Sequence, residues 1–215
     1  MIEFYSVRYS AQSSIANELF RLRKTTFKDR LNWDVKCTGN IEFDEYDNSD
    51  TVYLLGVKDN NIICSNRFRH MSQPNMIDNT FSTCFDNLSI PIPNQIESSR
   101  FFVDKERTRT IEKKRVISTL HYIAMISYSI NHQYCGIYTI VSHAMLKIIT
   151  KSGWSFELIN RGRAPDTSES IYLLFMPTTY LSRNTLIESI SSNILINCDE
   201  LENWPLLFRL TTTEV

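Results

Sequence analysis

The chain has 215 residues, of which 42% are hydrophobic and 22% are charged, and its formal net charge is −1. This composition is typical of a globular protein with a sizeable core, and it argues against a general nucleic-acid binder, which would carry a clear basic excess. The five cysteines are widely spaced, without a CxxC pair or a cysteine–histidine cluster, so neither a disulfide framework nor a metal site is supported and free thiols in a reducing cytosol are expected.

The first half of the chain is predicted to contain a strand, a helix, a long loop and a hairpin. In chain order these are a strand at 2–5, an amphipathic helix at about 13–28, a loop at 29–50, and hairpin strands at 51–57 and 62–68. The loop is rich in Asn, Asp and Gly but has two large apolar anchors, Trp33 and Phe43. Long loops in compact domains tend to be functional or disordered, so we interpret this one as closing over something.

The second half is predicted to alternate helices and strands. The elements are a helical turn near 81–87, a strand at 96–104, a helix at 116–130, a strand at 136–141, a helix at 144–151, and strands at 154–159 and 171–176. Residues from about 182 to 215 are expected to be weakly packed and helical in part, which suggests a main domain at 1–181 and an extension at 182–215. The order of elements favours an α/β fold with three layers, in which helices cover both faces of a mixed sheet.

No targeting or membrane-spanning segment is visible. The chain begins Met1-Ile2-Glu3-Phe4, without a charged stretch followed by an apolar core. No uninterrupted apolar run approaches the ~20 residues that span a bilayer. We therefore expect a soluble cytoplasmic protein with no membrane span.

The first group of chemistry-bearing residues runs from the predicted helix into the loop. Arg23 and Phe27 lie four residues apart, so they share one helix face, and Trp33 follows them. Asp44 and Asp47 then form an acidic turn. One interpretation is a solvated arginine, a core phenylalanine and a surface turn. The other is a site for a zwitterionic, cationic ligand, with carboxylates and an aromatic ring meeting the cation.

The second group lies in the predicted strand at 96–104. Glu97 and Arg100 would face opposite sides of a regular strand, whereas a β-bulge between them would bring them to one site. They could form a structural ion pair, or Glu97 could act as a general base beside a charge network. Arg67 carries little weight alone, since a strand arginine is usually exposed. No Ser-His-Asp pattern and no Gly-rich phosphate loop is present, so ATP or dinucleotide chemistry is not expected.

Together these two groups resemble the LuxI-type acyl-homoserine lactone synthases of quorum-sensing bacteria. The resemblance covers roughly residues 2–176 and includes the runs Phe27-Lys28-Asp29-Arg30-Leu31 and Glu97-Ser98-Ser99-Arg100-Phe101-Phe102-Val103-Asp104. The family's charged and aromatic signature falls on Arg23, Phe27, Trp33, Asp44, Asp47, Arg67, Glu97 and Arg100. The resemblance implies a fold like that of the GCN5-related N-acetyltransferases, with a V-shaped opening between central strands that holds an acyl-phosphopantetheine arm.

The chain departs from these patterns in two places. Glu112-Lys113-Lys114-Arg115 stands where acetyltransferases have a Gly-rich pyrophosphate loop, which fits an acyl donor carried on a protein better than coenzyme A. The run at 71–76 replaces a Pro-Thr-Thr-Gly-like turn of many family members, so the shape of this loop stays open.

The resemblance implies transfer of an acyl group from acyl-acyl-carrier protein to S-adenosylmethionine, followed by lactone closure. S-adenosylmethionine would be a substrate, and no cofactor or metal is expected. Glu97 would be the general base, with Arg100 and Asp44 as the other catalytic residues. The residues that form or order the S-adenosylmethionine pocket would be Arg23, Phe27, Trp33, Asp44, Asp47 and Arg67.

The acyl pocket should lie behind the strand at 137–141. In the family, a threonine matching Thr139 goes with preference for 3-oxo chains, and Ser98 is expected to assist through Glu97. We expect 3-oxo chains of about six to eight carbons. The pocket residues would be Ser98, Phe101, Tyr122, Met125, Thr139, Val141, Met145 and Leu174, for which simple core packing is the alternative.

An acidic carrier protein should dock on a basic surface. The available clusters are Lys113, Lys114, Arg115, Lys147 and Lys151, for which a solvated face is the alternative. Two other functions stay open. An N-acyltransferase of the same fold would use acyl-coenzyme A without S-adenosylmethionine. A lipid-acyl binding module would retain a ligand without turnover.

Overall fold

The computed structural model describes residues 1–10, 14–86, 88, 94–111, 114–165, 167–191, 194–195 and 201–210. The strands are β1 (Ile2–Arg8), β2 (Cys37–Thr38), β3 (Ile41–Glu42), β4 (Val52–Lys58), β5 (Asn61–His70), β6 (Ile96–Val103), β7 (Gly136–Ser142), β8 (Glu157–Arg163), β9 (Ser170–Pro177), β10 (Ile194–Leu195) and β11 (Leu206–Leu210). The α-helices are α1 (Ser14–Arg23), α2 (Lys114–Asn131), α3 (His143–Ser152) and α4 (Tyr180–Ile190).

Nine strands form one mixed sheet in the order β10-β11-β1-β4-β5-β6-β7-β9-β8, while β2 and β3 form a separate hairpin. All described pairings in the large sheet are antiparallel except β6 with β7. On one face α1 packs over β4 and β5, and on the other α2 lies over the central strands. The predicted three-layer α/β arrangement with a mixed sheet is therefore confirmed.

The parallel pair β6–β7 opens almost at once. Its register contains two pairs, Ile96 with Ile137 and Glu97 with Tyr138, although β6 continues to Val103 and β7 to Ser142. On its other side β7 stays paired with β9 along all seven residues. The two strands therefore separate beyond Glu97, and the sheet has the V-shaped opening that the family resemblance implies.

A β-bulge lies in β6 beside this opening. Ser65 pairs with Phe102 and Arg67 pairs with Ser99, so Arg100 and Phe101 together stand opposite one residue of β5. Arg100 has a φ of 55°, in the left-handed region that non-glycine residues rarely adopt. The extra residue brings Arg100 to the sheet face on which Arg67 lies. The bulge considered from the sequence between Glu97 and Arg100 is thus found one step further on, at Arg100 and Phe101.

The helix predicted at 13–28 is longer and changes form. α1 ends at Arg23 and continues as a π-helical segment, Lys24–Arg30, whose wider turns are common at functional sites. The loop predicted at 29–50 contains the β2–β3 hairpin. The helical turn near 81–87 is a 3₁₀ turn at Ser82–Cys84, preceded by a π-helical turn at Met76–Thr80.

Two expectations for the C-terminal third differ from the structure. The strand predicted at 154–159 is β8, Glu157–Arg163, because Trp154 is instead a core residue, 1% exposed, at the end of α3. The expected weak packing after residue 182 is wrong, since β11 pairs with β1 and carries the buried Leu206 and Phe208. The predicted domain boundary falls inside α4 and stays a prediction. Among the described residues no helix is long and apolar enough to cross a membrane.

Candidate active site

A buried network of six charged side chains lies where α1, β3, β5 and β6 meet. Its members are Arg23, Glu42, Asp44, Asp47, Arg67 and Arg100. The side chain of Arg100 is 10% exposed and the other five are less exposed. Three arginines balance three carboxylates, so the network carries no net charge when all six groups are ionised. Buried charges are tolerated in such mutual pairing and would be very costly alone.

Arg23 directs its guanidinium into this network. Its Nη1 and Nη2 donate to the two carboxylate oxygens of Asp47 at 2.7 and 2.9 Å, and its Nε donates to Glu42 at 2.5 Å. Burial acts to lower the pKa of Arg23, but the carboxylates of Asp47 and Glu42 outweigh it and raise that pKa. The predicted site residues Arg23 and Asp47 are thus brought together, and most of the hydrogen bonds that each can form are made to other protein groups.

Arg67 links the two aspartates to β6. Its Nη1 donates to Asp44 at 2.5 Å and to Asp47 at 3.0 Å, and its Nε donates to Ser99 Oγ at 3.0 Å. The expectation that a strand arginine is exposed is wrong here, since Arg67 is fully buried. Burial raises the pKa of a carboxyl group, yet the nearby Arg23 and Arg67 lower the pKa of Asp47 below its ordinary value.

Arg100 completes the network from the bulge in β6. Its Nε donates to Glu42 Oε1 at 3.0 Å and its Nη2 donates to Asp44 Oδ2 at 2.9 Å. Among the described residues it makes no ion pair with Glu97, so the structural Glu97–Arg100 pair considered from the sequence is absent there. The sequence placed both residues in one site, and the structure gives them different partners.

Glu97 is the carboxyl group that stands apart from the arginines. It is 2% exposed, and the backbone N–H of Met76 donates to its Oε2 at 2.9 Å. Burial raises the pKa of Glu97, and the charges of Arg67 and Arg100 offset that only in part. Glu97 sits where β6 and β7 begin to separate. A buried carboxyl group with a raised pKa at the mouth of an opening has the properties of a general base.

The segment that replaces the family turn positions Met76. Asn75 caps the π-helical turn at 76–80, where its side chain accepts a hydrogen bond from the Asp78 N–H. The Met76 N–H then reaches Glu97, and its sulfur lies 3.0 Å from Arg67 Nη2 and 3.4 Å from Arg100 Nη1. Glu97 therefore lies next to the network, bonded to the Met76 N–H and, among the described residues, to none of the arginines.

Phe27 and Trp33 form an aromatic wall at the outer edge of the network. Their rings stack with centroids 5.2 Å apart, and Arg100 lies 5.8 Å from the centre of the Phe27 ring. Phe27 is buried, whereas Trp33 is 44% exposed. An exposed indole stacked on a buried ring can cover a planar or cationic ligand that enters from solvent.

Sequence reasoning missed two buried charged residues. Glu42 bridges Arg23 and Arg100 and is 0% exposed. It is the last residue of the short strand β3 and stands two residues before Asp44, and that spacing was the available signal. Arg69 lies two positions after Arg67 and so shares its sheet face. It donates to the carbonyls of Pro74 at 2.6 Å and Tyr46 at 2.9 Å, which ties the loops on both sides of the network to β5.

The predicted acyl-pocket residues gather on the α2 side of the sheet. Six of them belong to, or pack against, one core cluster: Phe101, Tyr122, Met125, Val141, Met145 and Leu174. Phe101 and Tyr122 stack with centroids 5.3 Å apart. Burial raises the pKa of Tyr122, and its hydroxyl has no partner among the described residues. Ser98 is paired with Asn66 at 3.1 Å, which differs from the expected assistance through Glu97.

Lys147 and Lys151 are the part of the predicted basic dock that the structure describes. They lie four residues apart on α3, both are exposed, and Ile148 between them is 48% exposed. Lys113 and the side chains of Lys114 and Arg115 lie outside the described residues. The groups of His, Cys, Asp and Glu among the described residues include none that could hold a metal ion.

Comparison with known proteins relates this geometry to one enzyme family. A family model described as autoinducer synthase matches residues 6–186. An acyl-homoserine-lactone synthase of Dickeya dadantii (strain 3937) is 48% identical over 212 residues, which cover 98% of this chain and 100% of that protein. A solved structure of a CoA-dependent acyl-homoserine lactone synthase, BjaI, with SAM and isopentyl-CoA, matches with a TM-score of 0.76 at 17% identity, over 89% of this chain and 90% of that one.

The expected likeness to acetyltransferases is confirmed at the level of the fold. A putative N-acetyltransferase from Lactobacillus plantarum matches with a TM-score of 0.53 at 9% identity. The match covers 83% of this chain and 99% of that chain. At so low an identity it concerns only the arrangement of helices and sheet.

Proposed function

The chain belongs to the autoinducer synthase family, and we propose how its site carries out synthesis. It is an acyltransferase that makes an acyl-homoserine lactone, the class of molecule used as a quorum-sensing signal. We propose that the acyl group comes from acyl-acyl-carrier protein and that S-adenosylmethionine accepts it. S-adenosylmethionine is then a substrate, and the reaction uses no further cofactor or metal. The observation that carries this proposal is the buried Glu97, held outside the arginine network where β6 and β7 separate.

Amide formation is the first chemical step. The ammonium group of S-adenosylmethionine must lose a proton before its nitrogen can attack the thioester carbonyl and expel the pantetheine thiol. Glu97 takes that proton, directly or through a water molecule, since it is the carboxyl group of the site with no arginine hydrogen bond among the described residues. Backbone N–H groups on the separated strands stabilise the negative charge that develops on the carbonyl oxygen.

Lactone closure is the second step. A carboxylate oxygen of the methionyl group attacks the carbon bonded to the sulfonium, the carbon–sulfur bond breaks, and its electron pair leaves on sulfur as neutral methylthioadenosine. Such a leaving group needs correct orientation more than it needs a proton. Phe27 and Trp33 cover the cationic substrate, while Arg23, Asp44, Asp47 and Arg67 hold the pocket in shape. Because Arg23 and Asp47 bind each other, they order the pocket and do not bind the substrate with free charges.

An acidic carrier protein is the proposed acyl donor. The exposed Lys147, Ile148 and Lys151 on α3 supply positive charge around an apolar residue, which suits an acidic partner. BjaI, whose fold this chain shares, is a CoA-dependent synthase. Turnover should therefore be compared with one acyl group presented on carrier protein and on coenzyme A. A lower KM for the carrier-bound donor would support the proposal, and a lower KM for acyl-coenzyme A would overturn it.

The product is proposed to carry a 3-oxo chain of six to eight carbons. Its test is mass spectrometry of the lactones that accumulate when the chain is expressed in a bacterium lacking a synthase, with the empty vector as control. A 3-oxo-hexanoyl or 3-oxo-octanoyl lactone is expected. Lactones without the 3-oxo group would retain the enzyme class and contradict the chain type. Absence of lactone from folded protein would contradict the proposed function.

Replacing Thr139 by alanine is expected to lower the preference for 3-oxo chains by about five- to tenfold, the value of one neutral hydrogen bond. Thr139 lies on β7, pairs with Leu174 of β9, and stands beside the opening between β6 and β7. There its hydroxyl can donate to a 3-oxo oxygen. The measurement is the ratio of 3-oxo to unsubstituted lactones of equal length. Thr150→Ala on the exposed side of α3 is the matched control. Unchanged product ratios in Thr139→Ala would remove Thr139 as the determinant.

A further inference from the structure

We propose that His121 and Asn66 are positioning residues that orient the Ser98 hydroxyl as a hydrogen-bond donor to an oxygen on the acyl chain. The proposal rests on the function described above and adds two specificity-determining residues to it. Among the described residues, neither side chain hydrogen-bonds to the charged network. Both lie on the α2 side of the sheet, where the acyl wall is built.

A continuous chain of hydrogen bonds joins α2 to the mouth of the opening. The ring atom His121 Nε2 lies 2.7 Å from Asn66 Oδ1, and Asn66 Nδ2 lies 3.1 Å from Ser98 Oγ. His121 is 0% exposed, Asn66 is 1% exposed and Ser98 is 4% exposed. Water does not compete with such buried bonds, so their geometry is held strongly.

The direction of the chain follows from the donors and acceptors. A carbonyl oxygen such as Asn66 Oδ1 can only accept, so His121 Nε2 carries the hydrogen. Burial lowers the pKa of His121 to about 3, so the ring is neutral near pH 7 and its Nδ1 carries a lone pair. That Nδ1 has no partner among the described residues. If the Asn66 amide were reversed, its Nδ2 would donate to His121 Nε2 and the unpartnered Nδ1 would carry the hydrogen. A buried N–H without a partner is rarer in proteins than an under-satisfied acceptor.

The Ser98 hydroxyl is therefore free to donate a hydrogen bond among the described residues. Its oxygen accepts from Asn66, and among the described residues the hydroxyl donates to no acceptor. Ile96 pairs with Ile137 and Glu97 with Tyr138, so the next residues, Ser98 and Thr139, follow side by side at the point where the strands separate. Because side chains alternate along strands, Ser98 faces the side opposite to Glu97. Two hydroxyl groups thus flank the entrance to the acyl cleft.

His121 also supports the acyl wall by packing. Its ring meets Phe101 edge-on with centroids 4.9 Å apart, and Phe101 in turn stacks on Tyr122. An apolar side chain could supply that packing without a buried polar group. The additional feature that histidine supplies is the Nε2–H that fixes Asn66, and through Asn66 the hydroxyl of Ser98.

The test compares two substitutions at one position. His121→Leu removes the donor, whereas His121→Gln places an amide N–H near the position of Nε2. The quantity measured is kcat/KM for a 3-oxo-acyl donor divided by kcat/KM for the unsubstituted donor of equal length on the same carrier. We expect His121→Leu to lower this ratio about five- to tenfold and His121→Gln to retain it. Ser98→Ala should lower the ratio equally, and the double variant with His121→Leu should lower it no further.

Several outcomes would overturn the proposal. An unchanged ratio in His121→Leu would contradict it: equal losses of kcat/KM for both donors would indicate a packing role alone, and no loss for either would show that Ser98 needs no orientation. A wild-type protein with no 3-oxo preference would remove the acceptor. If His121→Leu does not fold, Asn66→Leu breaks the same chain at its middle and must give the same lower ratio. A wild-type protein that turns over neither donor would instead contradict the proposed function, so the two failures are distinguishable.

Discussion

Replacing Glu97 by glutamine is expected to slow amide formation by about 10²- to 10⁴-fold, the usual contribution of a positioned general base. The amide oxygen of glutamine can still accept the hydrogen bond from the Met76 N–H, so the shape of the site is retained. The amide cannot take a proton from the substrate ammonium. The measurement is a single-turnover rate of acyl transfer to S-adenosylmethionine with the variant in excess over acyl donor.

Glu45→Gln is the matched control for this change. Glu45 is exposed and lies between the buried Asp44 and Tyr46, so its substitution removes a carboxylate near the site without altering the opening. We expect it to retain the wild-type rate. An unchanged acylation rate in Glu97→Gln would show that Glu97 is not the base. Loss of both amide formation and folded structure would be attributed to packing, which circular dichroism of the variant checks.

The direction of the pKa shift at Glu97 gives this substitution a second consequence. Burial raises the pKa of Glu97 in the folded protein, so the folded state binds this proton more tightly than the unfolded chain does. The favourable contribution is present below the unfolded pKa and is lost as pH rises through the folded pKa. The glutamine variant should therefore gain stability relative to wild type at neutral pH, and the difference should shrink on acidification.

Arg100 and the acidic turn show how far sequence reasoning reaches into this site. Side-chain alternation indicates that Glu97 and Arg100 can reach one site only if the strand contains a bulge, and a bulge is present at Arg100. The partners of Arg100 could not be predicted, because the carboxylates that bind it come from a hairpin and a turn 58 and 56 residues away in sequence. Such long-range pairs depend on tertiary packing, which periodicity within one strand does not contain.

Arg67 and the C-terminal segment illustrate the same limit from the opposite side. A lone arginine in a strand is normally exposed. The ion pairs of Arg67 with Asp44 and Asp47 offset the free-energy cost of burying its charge. The residues after 182 lack strong periodicity, yet Leu206 and Phe208 are buried because β1 offers an edge for β11. The mixed sheet and the helices flanking it were predictable from local pattern, whereas edge pairing was not.

The carboxylates of the charged network and Glu97 differ in the direction of their pKa shifts. Asp47 and Glu42 are held ionised by the arginines that bind them, as their lowered pKa values indicate. Such groups cannot exchange protons usefully near neutral pH. Glu97 lacks an arginine hydrogen bond among the described residues and has the opposite shift. These opposed pKa shifts support the proposal that the arginine-bound carboxylates hold the site in shape and that Glu97 acts as the base.

Replacing Asp47 by asparagine is expected to lower the free energy of unfolding by about 3–5 kcal/mol, because it leaves buried arginines without a counter-charge. Asp47 accepts two hydrogen bonds from Arg23, one from Arg67 at 3.0 Å and one from the Tyr53 hydroxyl at 2.7 Å. For a chain of this size the loss corresponds to a fall in Tm of about 6–20 °C. Thermal unfolding followed by circular dichroism measures it.

The pH dependence of this variant distinguishes loss of charge from loss of packing. The folded pKa of Asp47 is lowered, so its contribution to stability is present above the unfolded pKa and disappears as pH falls through the folded pKa. Wild type should therefore approach the Asp47→Asn variant in stability on acidification, until the two converge. Asp50→Asn, the same change at an exposed position, should leave Tm almost unchanged. If Asp47→Asn loses less than about 1 kcal/mol, or loses an amount that does not vary with pH, the arginines are not held by the charge of Asp47.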